Sequence, residues 1–329
     1  MKFETVRWGI LGPGAIANAF ADGLKALPDA VLAACGSRSR ERAEAFGARH
    51  GIPRRHASYE ALAADPDLDA VYVATPHPWH CEHTLLCLDA GKAVLCEKPF
   101  ALNAREAAAM IGRARQRRLF LMEAMWTRFL PHIAEARRLL EEGRVGEPRL
   151  WRADFSFQAG PNPEGRLLNP RLGGGGLLDV GVYTLSLASY FLGPVEEVLA
   201  TARRGPTGVD EVAALATRHR GGGLGSMACG VGLSMPQTAA LFGSAGRIDL
   251  LDPWWRPSGL RVTAGDRVEE IRPDPAGNGY HRQAAEVHRC LREGLLESPV
   301  LPWNESLSVM GALDAARGQA GVAYPQETR

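Results

Sequence analysis

Short apolar runs alternate with longer amphipathic stretches through the first third of the chain. The runs, which include many β-branched residues, predict strands at 6–11, 30–35, 70–74, 94–96 and 119–122. Helical periodicity predicts helices after Gly14, at 40–50, near 83–90 and at 103–117. A series of this kind is most stable as a parallel sheet with helices on both faces. We therefore expect an α/β domain built on a doubly wound parallel sheet.

The pattern changes after Leu150. Extended segments at 150–158, 197–202, 212–218 and 247–251 are separated by glycine, proline and arginine, which is typical of a mixed or antiparallel sheet. Helical periodicity remains at 176–192 and 281–296. The change between the two patterns lies near residues 122–127. We therefore predict a first domain at 1–125 and a second, α+β domain at 126–329.

Composition narrows the class of protein. A chain of 329 residues suffices for about two domains. The 38 Lys and Arg against 37 Asp and Glu leave a net charge of +1, so no nucleic-acid partner is expected. Six cysteines without a C-x-x-C pair favour a reducing, cytoplasmic location. No signal peptide is expected, because the N-terminal segment lacks a long apolar core followed by a small-residue cleavage site. No membrane span is expected, because the longest uncharged stretch, 221–246, is rich in glycine and polar residues.

A glycine motif follows the first predicted strand. Residues 12–17 read G-P-G-A-I-A, which has the spacing G-x-G-x-x-A between a strand and a helix. In dinucleotide-binding domains this motif allows a tight turn and the close approach of a pyrophosphate to the helix N-terminus. The residues assigned to a cofactor site on this basis are Gly12, Pro13, Gly14, Ala15 and Ile16. The alternative is a turn of purely structural importance.

The residues after the second predicted strand bear on the choice between NADP and NAD. NAD-binding domains place an acidic residue about 20 residues after the glycine motif, against the ribose hydroxyls. This chain has Ser37 and Arg38 there, a hydroxyl and a guanidinium that suit a 2′-phosphate. NADP is therefore the expected cofactor, with NAD as the alternative. Arg38 could instead belong, with Arg40 and Arg42, to an exposed helix start.

Polar residues also follow the third and fourth predicted strands. Thr75 and Pro76 end the third strand, with His80 close behind, and Glu97 and Lys98 end the fourth. Ligands of open α/β sheets bind beyond the carboxyl ends of the strands. We therefore expect these residues at the cofactor site, with Lys98 directed toward the ligand.

Together these motifs resemble the Gfo/Idh/MocA oxidoreductases, with their glycine motif, T-P-x-x-x-H segment and E-K-P segment. E-A-M-W-T-R-F at 123–129 and the closing segments 290–300 and 321–325 are similar to the branch of dimeric dihydrodiol dehydrogenases and NADP-dependent D-xylose 1-dehydrogenases. The resemblance implies a Rossmann domain followed by an α+β domain with a large, mostly antiparallel open sheet. It also implies cofactor contacts from His80, Trp126 and Arg128, and a homodimer or a dimer of dimers.

The function implied by the resemblance is hydride transfer between the nicotinamide and a hydroxyl of a sugar or a cyclic diol. One alternative is a related dehydrogenase or reductase that acts on another polyol. The other is a non-catalytic protein that senses NADP, because a fold does not by itself establish an activity.

A second glycine run, at 173–176, precedes Asp179 and Tyr183. These two residues are four apart in a predicted helix and so share one face. The glycines are expected to let substrate or cofactor approach the start of that helix. Many family members carry histidine where this chain has Tyr183, whereas tyrosine resembles the dihydrodiol dehydrogenase branch. The alternative is a structural tyrosine and a helix carboxylate paired with an arginine.

Oxidation of a hydroxyl needs a base, and this requirement shapes the catalytic hypothesis. Free tyrosine has a pKa near 10, so Tyr183 needs a positive charge nearby to act near neutral pH. We assign Tyr183 as acid and base, Lys98 as the ammonium, and Asp179 as the group that orients Lys98 or a substrate hydroxyl. In the alternative, Lys98 transfers the proton and Tyr183 binds substrate.

Substrate selectivity is expected to reside in loops of the second domain. The positions assigned to it are Phe157, Arg166, Asn169 and Trp254. The histidines around His80 do not converge on one point at helical spacing, so no metal site is expected.

Overall fold

The chain divides into two units in the computed structural model, which describes residues 3–274 and 276–327. Of these, 3–126 and 276–304 belong to the first unit, and 127–274 and 305–327 to the second. The boundary predicted at 125/126 lies one residue from the observed division. The predicted second domain was one continuous stretch, whereas residues 276–304 return to the first unit.

Six parallel strands form the sheet of the first unit, in the order β3-β2-β1-β4-β5-β6. The strands are β1 (Val6–Leu11), β2 (Ala30–Gly36), β3 (Arg54–His56), β4 (Ala70–Val73), β5 (Ala93–Glu97) and β6 (Leu121–Ala124). The helices between them are α1 (Ala15–Leu24), α2 (Arg40–His50), α3 (Tyr59–Ala63), α4 (His80–Asp89) and α5 (Ala104–Arg117). The predicted doubly wound α/β architecture is confirmed.

The strand order reverses at β1, which pairs with β2 on one side and β4 on the other. All four residues of β4 and all five of β5 are buried, as expected for central strands covered on both faces. Because all strands run in the same direction, the carboxyl ends of β1, β2, β4 and β5 lie at one edge. The crevice at such a reversal is where open α/β sheets bind ligands.

Residues 276–304 return to the first unit because they complete its core. In the helix Tyr280–Glu293, His288 Nε2 accepts the indole N–H of Trp8 at 2.9 Å. The Leu121 N–H donates to the Leu296 carbonyl at 3.0 Å, and the indole N–H of Trp303 donates to the Leu121 carbonyl at 2.8 Å. These bonds satisfy buried donors and acceptors that would otherwise be unpaired.

Eight strands form the sheet of the second unit, in the order β14-β13-β12-β11-β7-β10-β9-β8. They are β7 (Pro148–Ser156), β8 (Val195–Arg204), β9 (Asp210–His219), β10 (Leu224–Gly230), β11 (Ala239–Gly243), β12 (Gly246–Leu250), β13 (Leu260–Ala264) and β14 (Arg267–Ile271). Only β7 and β10 pair in parallel; the other neighbours are antiparallel. The expected large, mostly antiparallel sheet is confirmed.

One face of this sheet is covered by a buried helix. The segment begins with a π-helical turn, Leu177–Gly181, and continues as α7 (Val182–Leu192), where a helix was predicted. The carbonyl of Thr184 accepts the indole N–H of Trp151, on β7, at 3.1 Å. The remaining helices are α6 (Pro131–Glu141), α8 (Tyr280–Glu293) and α9 (Trp303–Ala320).

The helical segment Pro170–Leu192 is long and apolar enough to cross a membrane, but 94% of its apolar window is buried. This burial is what the core helix of a globular domain shows.

Candidate active site

The turn after β1 brings the first glycine motif against the end of β4. Gly12 has a φ of +92°, and a Cβ there would lie 2.9 Å from Thr75 Cγ2 and 3.2 Å from the Ala74 carbonyl. The Gly12 N–H donates to the Gly36 carbonyl at 3.1 Å. Both the backbone conformation and the available space therefore require glycine at position 12.

Gly14, by contrast, faces open space at the start of α1. A Cβ at Gly14 would meet no described atom within 4 Å, and Gly14 and Ala15 are exposed. No side chain caps the helix, and its first turn contains no acidic residue. Exposed N–H groups and the helix dipole favour an anion at this position. The residues present therefore fit a pyrophosphate held against the backbone of residues 13–16.

Ser37 and Arg38 lie directly beyond β2. Ser37 is buried, and its N–H donates to the His56 carbonyl at 3.1 Å. Arg38 is exposed, with its guanidinium 6.0 Å from the centre of the Tyr59 ring. Within the described parts of the chain, no carboxylate lies within ion-pair distance of Arg38. The guanidinium is thus placed at the carboxyl edge of the sheet with its charge uncompensated.

The imidazole of His80 joins the ends of β4 and β5. Its Nδ1 lies 2.8 Å from the Pro99 carbonyl oxygen and its Nε2 lies 2.7 Å from that of Thr75. Burial lowers the pKa of His80 to about 4, although the two carbonyl oxygens favour the protonated ring. His80 has no exposed surface. In this structure His80 links the two strand ends, and the cofactor contact that the resemblance implies for it stays a prediction.

The carboxylate of Glu97 fixes the backbone that carries Lys98. Its Oε2 accepts the Lys98 N–H at 3.1 Å, and its Oε1 accepts the phenolic O–H of Tyr72. Glu97 is buried and Lys98 is half-buried. Tyr72, which stacks on Phe20 at 3.8 Å, was not predicted as a site residue. No sequence signal distinguishes it from the other buried residues of β4.

In the second unit, Asp179 pairs with Arg166. The Nη1 of Arg166 donates to Oδ1 of Asp179 at 2.8 Å, and Nη2 lies 3.5 Å from Oδ2. The Asp179 side chain is 4% exposed and that of Arg166 is 52% exposed. The structure thus brings together one residue predicted as catalytic and one predicted to bind substrate. It also realises the alternative of a helix carboxylate paired with an arginine.

Tyr183 lies one turn after Asp179, at the start of α7. Asp179 belongs to the π-helical turn, a feature that is frequent at functional sites. Tyr183 is 6% exposed, and its ring meets that of Phe155 edge-on at 5.2 Å between ring centres. The predicted helical spacing of Asp179 and Tyr183 is confirmed.

The second glycine run is packed by the chain itself. A Cβ on Gly174 would lie 2.7 Å from the Leu167 carbonyl oxygen, and one on Gly176 would lie 2.8 Å from Gly230 Cα. The expectation that these glycines leave room for a ligand is therefore wrong. They are required because neighbouring backbone lies too close for a side chain.

Arg128 and Trp126 are occupied by contacts within their own units. Arg128 is 1% exposed; it donates to Ser186 Oγ at 2.8 Å and pairs with Glu305 at 2.7 Å. These bonds hold the Arg128 guanidinium within the second unit, and the cofactor contact implied for Arg128 stays a prediction. Trp126 is 3% exposed and stacks on Tyr280 at 4.3 Å in the first unit.

The remaining substrate candidates differ in their surroundings. Trp254 lies in the loop between β12 and β13 but is fully buried, and its indole N–H donates to the Asp154 carbonyl at 2.9 Å. The Oδ1 of Asn169 accepts the Arg171 N–H at 2.9 Å and caps a short helical turn. Phe157, directly after β7, is half-buried.

The chain is similar to known proteins over nearly its whole length. Residues 6–125 match the model of the Gfo/Idh/MocA oxidoreductase family, NAD-binding Rossmann fold, and residues 133–249 match the C-terminal domain of that family. A trans-1,2-dihydrobenzene-1,2-diol dehydrogenase of Bos taurus is 39% identical over 333 residues, covering 98% of this chain and 99% of the relative. The human protein of the same name is 38% identical over 98% of this chain and 99% of the relative.

Solved structures show the same fold. A 3-ketoreductase from Actinomadura kijaniata, in complex with NADP and TDP-benzene, matches with a TM-score of 0.86 and 29% identity over 96% of this chain and 98% of that one. An aldose-aldose oxidoreductase from Caulobacter crescentus, complexed with glycerol, matches with a TM-score of 0.88 and 27% identity over 99% and 98%. The chain belongs to the Gfo/Idh/MocA family of oxidoreductases.

Proposed function

We propose that this protein is an NADP-dependent dehydrogenase that transfers a hydride between the nicotinamide and a hydroxyl of a sugar or a cyclic diol. The observation that carries the proposal is the 39% identity, over 98% of the chain, to a trans-1,2-dihydrobenzene-1,2-diol dehydrogenase. An aldose-aldose oxidoreductase among the structural relatives supports the wider substrate class. The uncompensated guanidinium of Arg38 favours NADP over NAD, because it suits a 2′-phosphate.

NADP supplies the hydride acceptor of the reaction, and the chain supplies binding and proton transfer. We assign the pyrophosphate to the backbone of Gly12, Pro13, Gly14, Ala15 and Ile16, and the 2′-phosphate to Ser37 and Arg38. Thr75, Pro76 and Glu97 complete the proposed site in the first unit. Glu97 does so by holding the Lys98 backbone through its N–H at 3.1 Å. Each group lies at the carboxyl edge of the first sheet, where such ligands bind.

Tyr183 is the proposed acid and base, and Lys98 is the proposed ammonium that favours the ionised phenol. As the substrate hydroxyl is oxidised to a carbonyl, its proton passes to the Tyr183 oxygen; in the reverse direction Tyr183 returns it. Asp179 is proposed to orient a substrate hydroxyl, with Arg166 offsetting its charge at 2.8 Å. A cytoplasmic homodimer or dimer of dimers is proposed as the working form.

The activity can be tested with purified protein, NADP, and a panel of pentoses, hexoses and trans-dihydrodiols. We expect reduced cofactor, seen by its absorbance, with at least one class of substrate. Tight NADP binding without turnover on the whole panel would contradict the proposal and favour an NADP-sensing protein. Turnover on a different polyol would retain the dehydrogenase and correct its substrate.

The catalytic assignment can be tested with Tyr183→Phe, which removes only the phenolic oxygen. We expect kcat to fall about 1000-fold, because a positioned acid-base group contributes about 10² to 10⁴ in rate. Tyr190→Phe is the matched control, since Tyr190 lies on the same helix and its ring packs against Arg128 and Arg137. Nearly full turnover by Tyr183→Phe would refute the assignment.

Lys98→Met separates the two proton-transfer hypotheses. If Lys98 lowers the pKa of Tyr183, the variant should move the alkaline rise of kcat/KM to higher pH while keeping measurable activity. Lys25→Met, at an exposed lysine of the first unit, should leave the profile unchanged. Loss of the pH-dependent rise in Lys98→Met, with Tyr183→Phe still showing it, would assign proton transfer to Lys98.

A further inference from the structure

Asp210 is a fully buried carboxylate at the first position of β9 in the second unit. Its Oδ2 accepts the Leu177 N–H at 2.5 Å, and the Gly176 N–H also interacts with the carboxylate. These are the first N–H groups of the helical segment that carries Asp179 and Tyr183. Helix starts leave such groups unpaired unless an acceptor is supplied from outside the helix.

The other carboxylate oxygen of Asp210 explains why residue 175 is glycine. Oδ1 of Asp210 occupies the space that a side chain on Gly175 would take, and Gly175 has a φ of +119°. Among the described residues, Oδ1 has no hydrogen-bond partner although it is buried. Residue 175 must therefore be glycine for two reasons, its backbone conformation and the carboxylate beside it.

A residue of the C-terminal segment also contacts the glycine run 173–176. The phenolic O–H of Tyr324 donates to the Gly174 carbonyl at 2.8 Å. Arg317, on α9, lies 4.9 Å from the centre of the Tyr324 ring and pairs with Glu327 at 2.8 Å. Burial raises the pKa of Tyr324, so its O–H remains a donor at all working pH values.

We propose that Asp210 is a positioning residue that sets the place of Asp179 and Tyr183 by fixing the first turn of their helix. The inference rests on the proposed function, because it assigns Asp210 a part in the same reaction. Asp210 acts through the N–H groups of Leu177 and Gly176 and touches neither substrate nor cofactor. Displacement of a reacting group by about 1 Å costs about 100-fold in rate, so a buried acceptor at this turn affects catalysis strongly.

Burial raises the pKa of Asp210 to about 7, although the N–H groups of Leu177 and Gly176 stabilise the carboxylate and so lower the pKa. An oxygen remains available to the Leu177 N–H in either protonation state. The positioning of the helix therefore does not require the negative charge. Asp210→Asn, which keeps one acceptor oxygen, is the conservative variant for the experiment.

Hydrogen exchange of the intact protein tests the inference without relying on activity. In Asp210→Ala, we expect amides in peptides covering residues 174–185 to exchange about tenfold faster than in the wild type. Asp154→Ala is the matched control, because Asp154 also accepts two backbone N–H groups in this unit, from Gln237 and Thr238. Unchanged exchange at 174–185 in Asp210→Ala would overturn the inference.

Kinetics give the second readout. Asp210→Ala should lower kcat by about 10- to 100-fold with KM and the Kd for NADP changed less than about twofold, and Asp210→Asn should recover most of the loss. Asp154→Ala should keep the wild-type kcat when each protein is assayed the same number of degrees below its own melting temperature. Equal kcat in Asp210→Ala and Asp154→Ala would overturn the positioning role.

If Asp210→Ala fails to fold, Asp210→Leu, which fills the same space without an acceptor, and Tyr324→Phe still decide the question. Tyr324→Phe removes the bond to the Gly174 carbonyl and should lower kcat about threefold or more and accelerate exchange at 174–185. Wild-type exchange and kcat in both variants would overturn the inference. A wild type without NADP-dependent turnover would refute the proposed function, while the exchange result would still decide whether Asp210 fixes the helix.

Discussion

The two glycine clusters of this protein, 12–14 in the first unit and 173–176 in the second, serve different physical ends. At Gly14 a side chain would enter open space at an uncapped helix start. At Gly174 and Gly176 it would meet backbone of Leu167 and Gly230 within 2.8 Å. Gly14 leaves room for something outside the chain, whereas Gly12 and the second cluster are packed by the chain itself.

The difference shows that a glycine next to a catalytic helix need not contact a ligand. Glycine is required wherever another atom comes too close or φ is positive, whether that atom belongs to a ligand or to the protein. In the second cluster the closest group is the carboxylate of Asp210, beside Gly175. Gly14 and the second cluster should therefore respond in opposite ways to substitution by alanine, which can be measured.

The largest expected effect is that of Gly175→Ala. A positive φ and an overlap with Asp210 should destabilise the second unit by about 3 kcal/mol and lower the melting temperature by about 10 °C. Gly112→Ala, at an open position inside α5, is the control and should be neutral or slightly stabilising. Calorimetry of the three proteins checks this. A wild-type melting temperature for Gly175→Ala would remove the distinction between the clusters.

The groups around the two clusters should also differ in how they respond to pH. Burial lowers the pKa of His83, which contacts Thr75 Oγ1 at 3.0 Å beside the first cluster, to about 4. Because the pKa of unfolded histidine is near 6.5, this contribution to stability is present above that value and is lost as the pH falls toward 4. When the pH falls from 7 to 5, the free energy of unfolding of His83→Gln should therefore decrease by about 2 kcal/mol less than that of the wild type. Equal losses measured by denaturant titration would contradict this.

Asp210, beside the second cluster, should show the opposite sign. Burial raises its pKa from an ordinary value of 3.8 to about 7. Its contribution to stability is therefore present below pH 3.8 and is lost as the pH rises through 7. Relative to Asp210→Asn, the wild type should lose melting temperature between pH 5 and 8. A constant difference across this range would show that Asp210 does not titrate there.

Gly14→Ala should leave stability nearly unchanged and weaken cofactor binding. Its φ of −98° suits alanine, and no described atom obstructs the new methyl group. The methyl group would occupy the space assigned to the pyrophosphate, so the Kd for NADP should rise about tenfold, measured by fluorescence titration. Gly112→Ala again serves as the control. Unchanged NADP affinity would place the pyrophosphate elsewhere.

The smallest expected effect is that of Arg38→Ala on cofactor choice. Losing one exposed guanidinium should weaken NADP binding about fivefold and leave NAD binding unchanged. Arg49→Ala, at the far end of α2, should alter neither affinity. Equal weakening of both cofactors would show that Arg38 does not contact the 2′-phosphate. The salt dependence of the NADP affinity should also decrease in Arg38→Ala.

Much of the fold could be predicted because local periodicity and burial agree in the first unit. The bounds of β1 and α2 are observed as predicted, since apolar runs and the capping Ser39 define them locally. The second sheet was harder, and the helices α6 and α9 were not predicted. The glycine run 221–225 predicts a turn, and the chain turns at Gly221 and Gly222. The strand Leu224–Gly230, which was not predicted, begins directly after this turn and pairs with β7 and β9.

The sequence by itself determined the family, most of the alternating strands and helices of the first unit, the placing of Lys98 after a strand, and the placing of Asp179 and Tyr183 on one helix. These features depend on the spacing of residues close together in the chain, which can be read directly from the sequence. Only the tertiary structure decided that Arg128 is bound by Ser186 and Glu305, and that Asp210 meets a helix start 33 residues away in the chain. Whether a polar side chain contacts a ligand or the protein depends on its buried neighbours. Many of these neighbours come from distant parts of the chain, so only the folded structure identifies them.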